Sequence, residues 1–527
     1  MNCLVAGAIA MSLIACQNGT GQTGTQAAGT DSADSQTTAV TEEQSTQGTG
    51  EDEQKEVVSA VLFQSSSRME TADTQLVREE IKKQTGVDIS LNYVSDNVEQ
   101  KYGLLVAGDT VPDINALTYD MYKEYAAQGA YYDITDLIGQ YPNIMEYVPE
   151  EYWDRVKVDG RIYGIPNCNT EGKRLIVYRG DWLEKLGMDV PENQEEFTEM
   201  LKAFTQEDPD GNGTDDTYGY GGEGAEKFAV FYAMYATYPG YYHEEDGKVV
   251  IDAVSEAYKE CLQYIHELYA AGYIDPEIFT DTSEQFTQKM NNGKIGSFSA
   301  WWSTPGTLAR DLGFAQAQPE GELITADPPV DASAGQGMQA SDGLSGVVSF
   351  SYKDEEKIEQ LLGLIDWMVT DEGYRTCKYG VEGIHWMVDE EGNLTYCATN
   401  DPDKMRLDGV KMEGNDNETY SVLQRMDIYP ELLENEPFFK ECFEQAANGP
   451  LYRNLFVGLT SDAYTTYNAD LEKLCDEMRV KFILGDESFD NWDEYVEEYM
   501  RIGGKEVAES LLAAYNETYG TAYTLAE

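Results

Sequence analysis

"VVSAVLFQSSSRMETADTQLVREEIKKQTGVDISLNY", residues 57–93, holds two hydrophobic periods in one stretch. "VVSAVLF", 57–63, is an apolar, β-branched run of strand length. Leu76, Val77 and Ile81 then share one helical face, charged residues fill the other, and Gly86 stands at the stop. "VDISLNY", 87–93, alternates apolar and polar as a second strand. A further helical segment, about Val98 to Ala107, runs into "AGDTVPDI" and a third strand. Strand, helix, strand, helix, strand at these lengths predicts a parallel sheet with right-handed crossovers. Ligands of open α/β sheets sit beyond the carboxyl ends of strands, so the loop "QSSSR", with Ser65 and Arg68, is expected to form a cleft wall.

Downstream, "VKVDGRIYGI", 156–165, has two short alternating runs about Asp159-Gly160, a hairpin signal. Past Pro166 a second strand and helix series begins. "RLIVYRGDWLEKLG" reads as a strand turning at Arg179-Gly180 into a helix capped by Asp181, with Trp182 in the core. "ENQEEFTEMLKAF" continues as a helix with Phe197, Leu201 and Phe204 on one face. "GKIGSFSAWW", 293–302, is a predicted strand ending in paired tryptophans. "LLGLIDWMVTDEGYRTCKYG" is a predicted helix, and "GIHWMVDEEGNLTYC" a hairpin about Glu391-Gly392. From about Ser461 the chain is helical, with Leu471, Leu474, Met478 and Phe482 on one stripe.

The 527 residues include 97 acidic and 36 basic ones, a formal charge of -61. Nucleic acid and anionic membrane surfaces are repelled by such a chain, and an uncharged ligand suits it better. "CLVAGAIAMSLIA", 3–15, is an apolar run too short to span a bilayer and reads as a signal-peptide core, although no Lys or Arg precedes it. Gln17 to about Lys55 is Gly, Thr, Ser, Gln and acid, a composition that cannot bury enough surface to order itself and reads as a tether. Beyond Cys3 and Cys16, six cysteines stand at 168, 261, 377, 397, 442 and 475. Their wide spacing, without a CxxC pair, argues against zinc; they pair in one of fifteen ways or stay reduced.

"DPDGNGTDDTYG", 208–219, places Asp208, Asp210, Asn212 and Asp216 at loop positions one, three, five and nine, with Gly213 at six for the sharp turn. Oxygen donors in that order suit Ca2+, with the Thr214 carbonyl as a further ligand. Position twelve is Gly219 where an EF-hand has a bidentate Glu, so no flanking helix pair is implied. The plainer alternative is a solvated Asp/Gly turn.

Taken in order, these landmarks resemble one family. "LIAC" at 13–16, "LLVAGDTVPDI", "DGRIYGIP", "YRGDWLEKLG", "PENQEEFTEMLKAF", "DPDGNGTDDTYG", "MNNGKIGSFSAWW" and "YGVEGIHWMVDEEGN" are similar to stretches of extracellular solute-binding proteins of ABC-type importers, in the lipid-anchored branch that binds oligosaccharides. The resemblance implies an α/β chain of two lobes, each a sheet flanked by helices, with a helical C-terminal segment. It implies acylation at Cys16, a monomer on the outer face of the bacterial membrane, an oligosaccharide ligand and a permease partner. It also implies structural calcium at Asp208, Asp210, Asn212, Thr214 and Asp216, although some such members place Glu where this chain has Thr217. The expected divisions are a signal peptide at 1–16, a tether at 17–56, lobe 1 at 57–165 and 298–350, and lobe 2 at 166–297 and 351–527.

A sugar presents apolar C–H faces and hydroxyl edges, so its site needs flat aromatic walls and a polar fringe. Trp301 and Trp302 are the first candidates, with one expected to stack and the other to pack a core, because adjacent strand residues face opposite ways. Trp386 beside His385 is another. Tyr235 and Tyr238 in "FYAMYATYPGYYHEEDG" are placed on one helical face, and "PLYRNLF" adds Tyr452 and Arg453. The acidity of the chain argues against polyuronate ligands unless Arg68 or Arg453 makes the cleft locally basic. Enzyme readings compete weakly. His occurs only at 243, 266 and 385, and G-x-S-x-G, H-E-x-x-H and phosphate-cradling loop motifs are absent. A surface glycoside hydrolase or lyase using a carboxylate pair is the alternative; an adhesin without transport is a third.

Overall fold

The computed structural model describes residues 57–66, 70–168, 174–310, 312–330, 337–339, 343–353, 355–388, 394–397, 405–412, 420–425, 437–448 and 451–526. Arg68, Cys16 and the tether lie outside them. The chain opens with strand β1 (Val58–Ser65), helix α1 (Ala72–Thr85), β2 (Val87–Val94), α2 (Val98–Ala107), β3 (Ile114–Leu117) and α3 (Tyr119–Ala127). Then come β4 (Gly164–Cys168), β5 (Leu175–Arg179), α4 (Gly180–Leu186), α5 (Gln194–Gln206), α6 (Ala229–Met234), α7 (Glu256–Ala270), β6 (Ser297–Ala300) and β7 (Leu323–Ala326). The last part holds β8 (Met338–Gln339), β9 (Leu344–Phe350), α8 (Ile358–Met368), α9 (Asp371–Tyr379), β10 (Leu451–Tyr452), α10 (Asp462–Leu484), α11 (Trp492–Ile502) and α12 (Gly504–Tyr519).

The opening stretch folds as its periods require. Thr71 and Thr74 form a reciprocal capping box at the start of α1, and Val77 and Ile81 are fully buried under it. Gly86 ends the helix in the left-handed region, at φ 78°, with its N–H on the Lys82 carbonyl. β1 pairs in parallel with β2 and with β3, giving the crossover order expected. The sheet runs β2-β1-β3-β9-β4, and β9 returns antiparallel to both neighbours. The Asp159-Gly160 hairpin is present, with both residues at positive φ.

The second lobe is built differently. Its sheet has three strands, β6-β5-β7, all antiparallel. Most of its core comes from helices: Phe197, Leu201 and Phe204 of α5 meet Tyr220, Phe231 and Ile265, and Phe482, Trp492 and Leu511 extend the same cluster.

Core membership changes at other points than the expected boundaries. β4 completes the first sheet, while β6 and β7 belong to the second, so within 298–350 only β9 returns to the first sheet. α8 and α9 also belong to the first lobe, where Ile358, Leu361, Ile365 and Cys377 join its core. The stretch expected as one helix is two, because Thr370 accepts the Gly373 N–H and starts a new first turn. Asp181 does not cap α4 by hydrogen bond. It pairs with both Nε and Nη2 of the nearly buried Arg179 and accepts the Glu322 N–H. Cys168, Cys261, Cys377, Cys397, Cys442 and Cys475 are all buried free thiols.

Candidate functional site

Two adjoining cavities open where the parallel strands end. One, about 280 Å3, is lined by Gln64, Ser65, Thr118, Asn167, Ser345 and Lys378, all of the first lobe. The other, about 400 Å3, has Tyr119 and Asp120 on one side and Arg174, Tyr241, Tyr242 and Gln339 on the other. Thr118, which lines the first, and Tyr119, which lines the second, are consecutive at the start of α3. Position and size are those of a ligand cleft beyond strand ends. The Tyr119 hydroxyl donates toward the Arg155 carbonyl at 2.8 Å and the Gly458 carbonyl at 3.1 Å, which ties the lobes at this point.

Behind the larger cavity stands an aromatic stack. Tyr241 is half-buried and lies nearly parallel to Tyr452, at 13° with centroids 6.4 Å apart. Gln339 Nε2 donates to the Tyr241 hydroxyl at 2.9 Å. The Tyr452 hydroxyl donates to Asp252 Oδ2 at 2.9 Å, the Tyr238 N–H to the same oxygen at 2.8 Å, and His243 Nδ1 lies 2.6 Å from Oδ1. Asp252 is completely buried. Burial pushes its carboxyl above the ordinary range, against the pull of His243, Tyr238 and Tyr452. Burial also disfavours the His243 imidazolium, but the hydrogen bond and charge of Asp252, with Glu245 behind, outweigh it and raise the His243 pKa.

The other residues expected around a ligand separate. Ser65 lines the smaller cavity. Trp301 is half-buried, with the Arg174 guanidinium 4.7 Å over its ring, which places it one layer behind the cavity wall. Neither tryptophan is in a strand, since β6 stops at Ala300; Trp302 is buried edge-on to Phe443. Trp386 is no wall: it is 5% exposed, and its Nε1 donates to the Gly380 carbonyl at 2.8 Å in the first lobe. Tyr235 and Tyr238 do not share a helical face, because α6 ends at Met234. Tyr235 turns to Gln194 and Tyr264, away from the cavities. Tyr238 is buried and accepts the Gln339 N–H at 2.7 Å, supporting the stack from within. Tyr452 plays the same part, and Arg453 beside it is exposed. Sequence reading missed Tyr241, Gln339, Arg174 and Asp252. Only Tyr241 had a local signal, in the tyrosine-rich segment.

The acidic loop forms a tight turn after α5. Gly213 sits at φ 78°, and its N–H donates to Asp208 at 3.1 Å. Asn212 Nδ2 donates to Asp210 at 2.7 Å and to Asp216 at 3.1 Å, while the Thr214 N–H donates to the Asn212 side chain. Lys294 pairs with the remaining Asp216 oxygen. Among the described residues no three His, Cys, Asp or Glu side chains converge as a metal site; here the Asn212 amide and Lys294 take up the carboxylates. Burial, with Asp208 and Asp216 close by, nevertheless raises the Asp210 carboxyl. Thr217 is buried and donates to the Phe204 carbonyl at 2.7 Å, so it closes α5. A side chain at position twelve is sterically barred, since a Cβ on Gly219 would lie 2.4 Å from the Leu201 carbonyl oxygen.

The family model for bacterial extracellular solute-binding proteins matches residues 66–375. The chain belongs to this family. Two relatives of this solute-binding protein from Bacillus subtilis (strain 168) are lipoprotein LipO and the polygalacturonan/rhamnogalacturonan-binding protein YtcQ. Each is 25% identical, over 83% of this chain and 88% and 87% of their own. Among solved structures, the Streptococcus pneumoniae ABC-transporter substrate-binding protein FusA in complex with kestose superimposes with a TM-score of 0.69, covering 88% of this chain and 99% of its own at 18% identity. A FusA EF-hand mutant in complex with fructo-nystose gives 0.68, at the same coverage and identity. At that identity the likeness is one of fold, the two-lobed α/β architecture.

Proposed function

We propose that this solute-binding protein is held at the outer face of the bacterial membrane through an acyl group on Cys16, captures an oligosaccharide between its lobes and passes it to an ABC permease. The observation that carries this reading is a cleft bounded by both lobes, with the Tyr241 and Tyr452 stack on one side and hydroxyl and amide groups around it. Flat rings match the C–H faces of a sugar, and the polar fringe matches its hydroxyls. A ligand touching both lobes selects the closed arrangement through its differential affinity. The names of YtcQ and FusA support a glycan ligand. A hydrolase needs two carboxylates flanking the bond; among the described residues lining the cavities, Asp120 is the sole carboxylate.

The deciding experiment is a thermal-shift screen of the full chain against neutral and acidic oligosaccharides, with chromatography of each hit. A concentration-dependent rise in Tm with the sugar recovered intact supports capture. Recovery of shortened sugar would make the protein an enzyme. For the anchor, Cys16→Ser moves the protein from the membrane fraction to the soluble one, and unchanged fractionation would point to another attachment.

The 208–216 loop fits a structural calcium ion by the chemistry of its donors: three carboxylates, one amide oxygen and the Thr214 carbonyl, all hard oxygen ligands. Bound there, Asp208, Asp210, Asn212, Thr214 and Asp216 would fix the turn after α5, with no part in ligand chemistry. At calcium a hundredfold above its Kd, linkage supplies about 2.7 kcal/mol of stability. Chelation therefore lowers Tm in the native chain and leaves Asp210→Ala unaffected. Equal melting with and without chelator in the native chain would mean that Lys294 and the loop's own hydrogen bonds suffice.

A further inference from the structure

The cleft inverts the charge balance of the chain. Acidic residues outnumber basic ones 97 to 36 overall, yet the charged described residues lining the two cavities are Arg174, Lys378 and Asp120. Two more cations stand behind the wall. Arg155 and Lys123 lie 6.0 Å and 5.6 Å from the Tyr119 ring centroid, and Tyr119 lines the larger cavity. Arg453, one expected source of positive charge, is exposed and lines neither cavity.

Resting on the carbohydrate reading above, we propose that the cleft is selective for an oligosaccharide bearing carboxylates, a uronate-containing glycan, with Arg174 and Lys378 as the specificity-determining cations.

Each cation is placed for that task. The Arg174 guanidinium lies over the Trp301 indole at 4.7 Å, a cation–π contact that restrains the head group at the cavity wall. A guanidinium restrained in this way offers the forked donor geometry that matches a carboxylate. Lys378 is 9% exposed in the last turn of α9, where the helix dipole favours a cation. It shares its cavity with the hydroxyl and amide groups of Ser65, Thr118, Asn167 and Ser345, so it supplies the only charge in that wall among the described residues. Asp120 is exposed and sits in the first turn of α3, where the helix N-terminus offsets its charge. The two cations line different cavities whose walls contain the consecutive residues Thr118 and Tyr119, so a glycan touching both would extend across the start of α3. The net charge of the chain does not oppose this selection strongly. At physiological salt the Debye length is about 8 Å, so charges across the surface are screened while those lining the cleft act directly.

The test is titration calorimetry of the full chain with three oligosaccharides of equal length: an oligouronide, the same oligosaccharide with its carboxyls reduced to alcohols, and a sulfated neutral oligosaccharide. The oligouronide binds about tenfold or more tightly than its reduced form, as expected for charge-assisted hydrogen bonds. Arg174→Met and Lys378→Met each bring that ratio towards one; Lys378→Arg keeps most of it, while Arg174→Lys keeps the charge without the fork and so retains only part, and both control for folding. Equal or tighter binding of the reduced sugar overturns the inference and leaves the carbohydrate reading standing. Preference for the sulfated sugar overturns the assignment to carboxylate. If none of the three binds, the carbohydrate reading falls and this inference with it.

Discussion

Asp252→Ala lowers the stability of the solute-binding protein by about 3–5 kcal/mol, the cost of removing one partner from a buried ionic cluster. Three donors lose their acceptor at once: His243, the Tyr452 hydroxyl and the Tyr238 N–H. Asp252 itself has no exposed surface, and only His243 of its partners is partly open to water. Urea unfolding of the variant reads this directly, and a loss below about 1 kcal/mol would mean that ordered water repairs the cluster. Asp252→Asn keeps the shape and loses less. The same cluster makes stability depend on pH. Because the folded pKa of His243 is raised, its contribution is complete below the ordinary histidine value and is lost as pH rises through the folded value. Asp252→Asn flattens that dependence, since the charge that raises His243 is gone.

Tyr241→Ala costs the most ligand affinity of any single aromatic change, about 2 kcal/mol or roughly 30-fold in Kd. The ring lines the larger cavity and is braced on its far side by Tyr452 and at its edge by Gln339. Tyr241→Phe keeps the ring and loses one hydrogen bond, about 1 kcal/mol. Trp386→Ala provides the contrast. Its indole is buried in the first lobe, and its truncation acts on stability through a core cavity. Calorimetry with an oligosaccharide identified by the thermal-shift screen separates the two. A larger affinity loss for Trp386→Ala than for Tyr241→Ala would move the binding wall to the 386 hairpin.

The two predictions mark the boundary between local and distant information. Strand β1, helix α1 and strand β2 were legible because an apolar period of two or 3.6 and a terminal Gly are set by neighbouring residues. The Asp159-Gly160 hairpin and the turn at Gly213 belong to the same class. Trp301 was expected at the end of a strand, and its face against Arg174 was not legible, because β6 ends one residue before it. Trp386 and Tyr241 are both aromatic residues near turns. Their composition cannot tell which is buried and which lines a cavity.

By itself, the sequence determined the strand and helix order that opens the first lobe, from β1 to β3, the acidic turn and the family, all carried by short-range pattern and by the order of landmarks. Only the tertiary structure decided the cleft. It brings Tyr119 of α3, Arg174 before β5, Tyr241 after α6 and Gln339 of β8 to one cavity, and it sets Asp252 under Tyr452 from a strand 200 residues away. These contacts depend on where the chain crosses between the lobes, and that is settled by which faces the two cores can bury together rather than by any local preference.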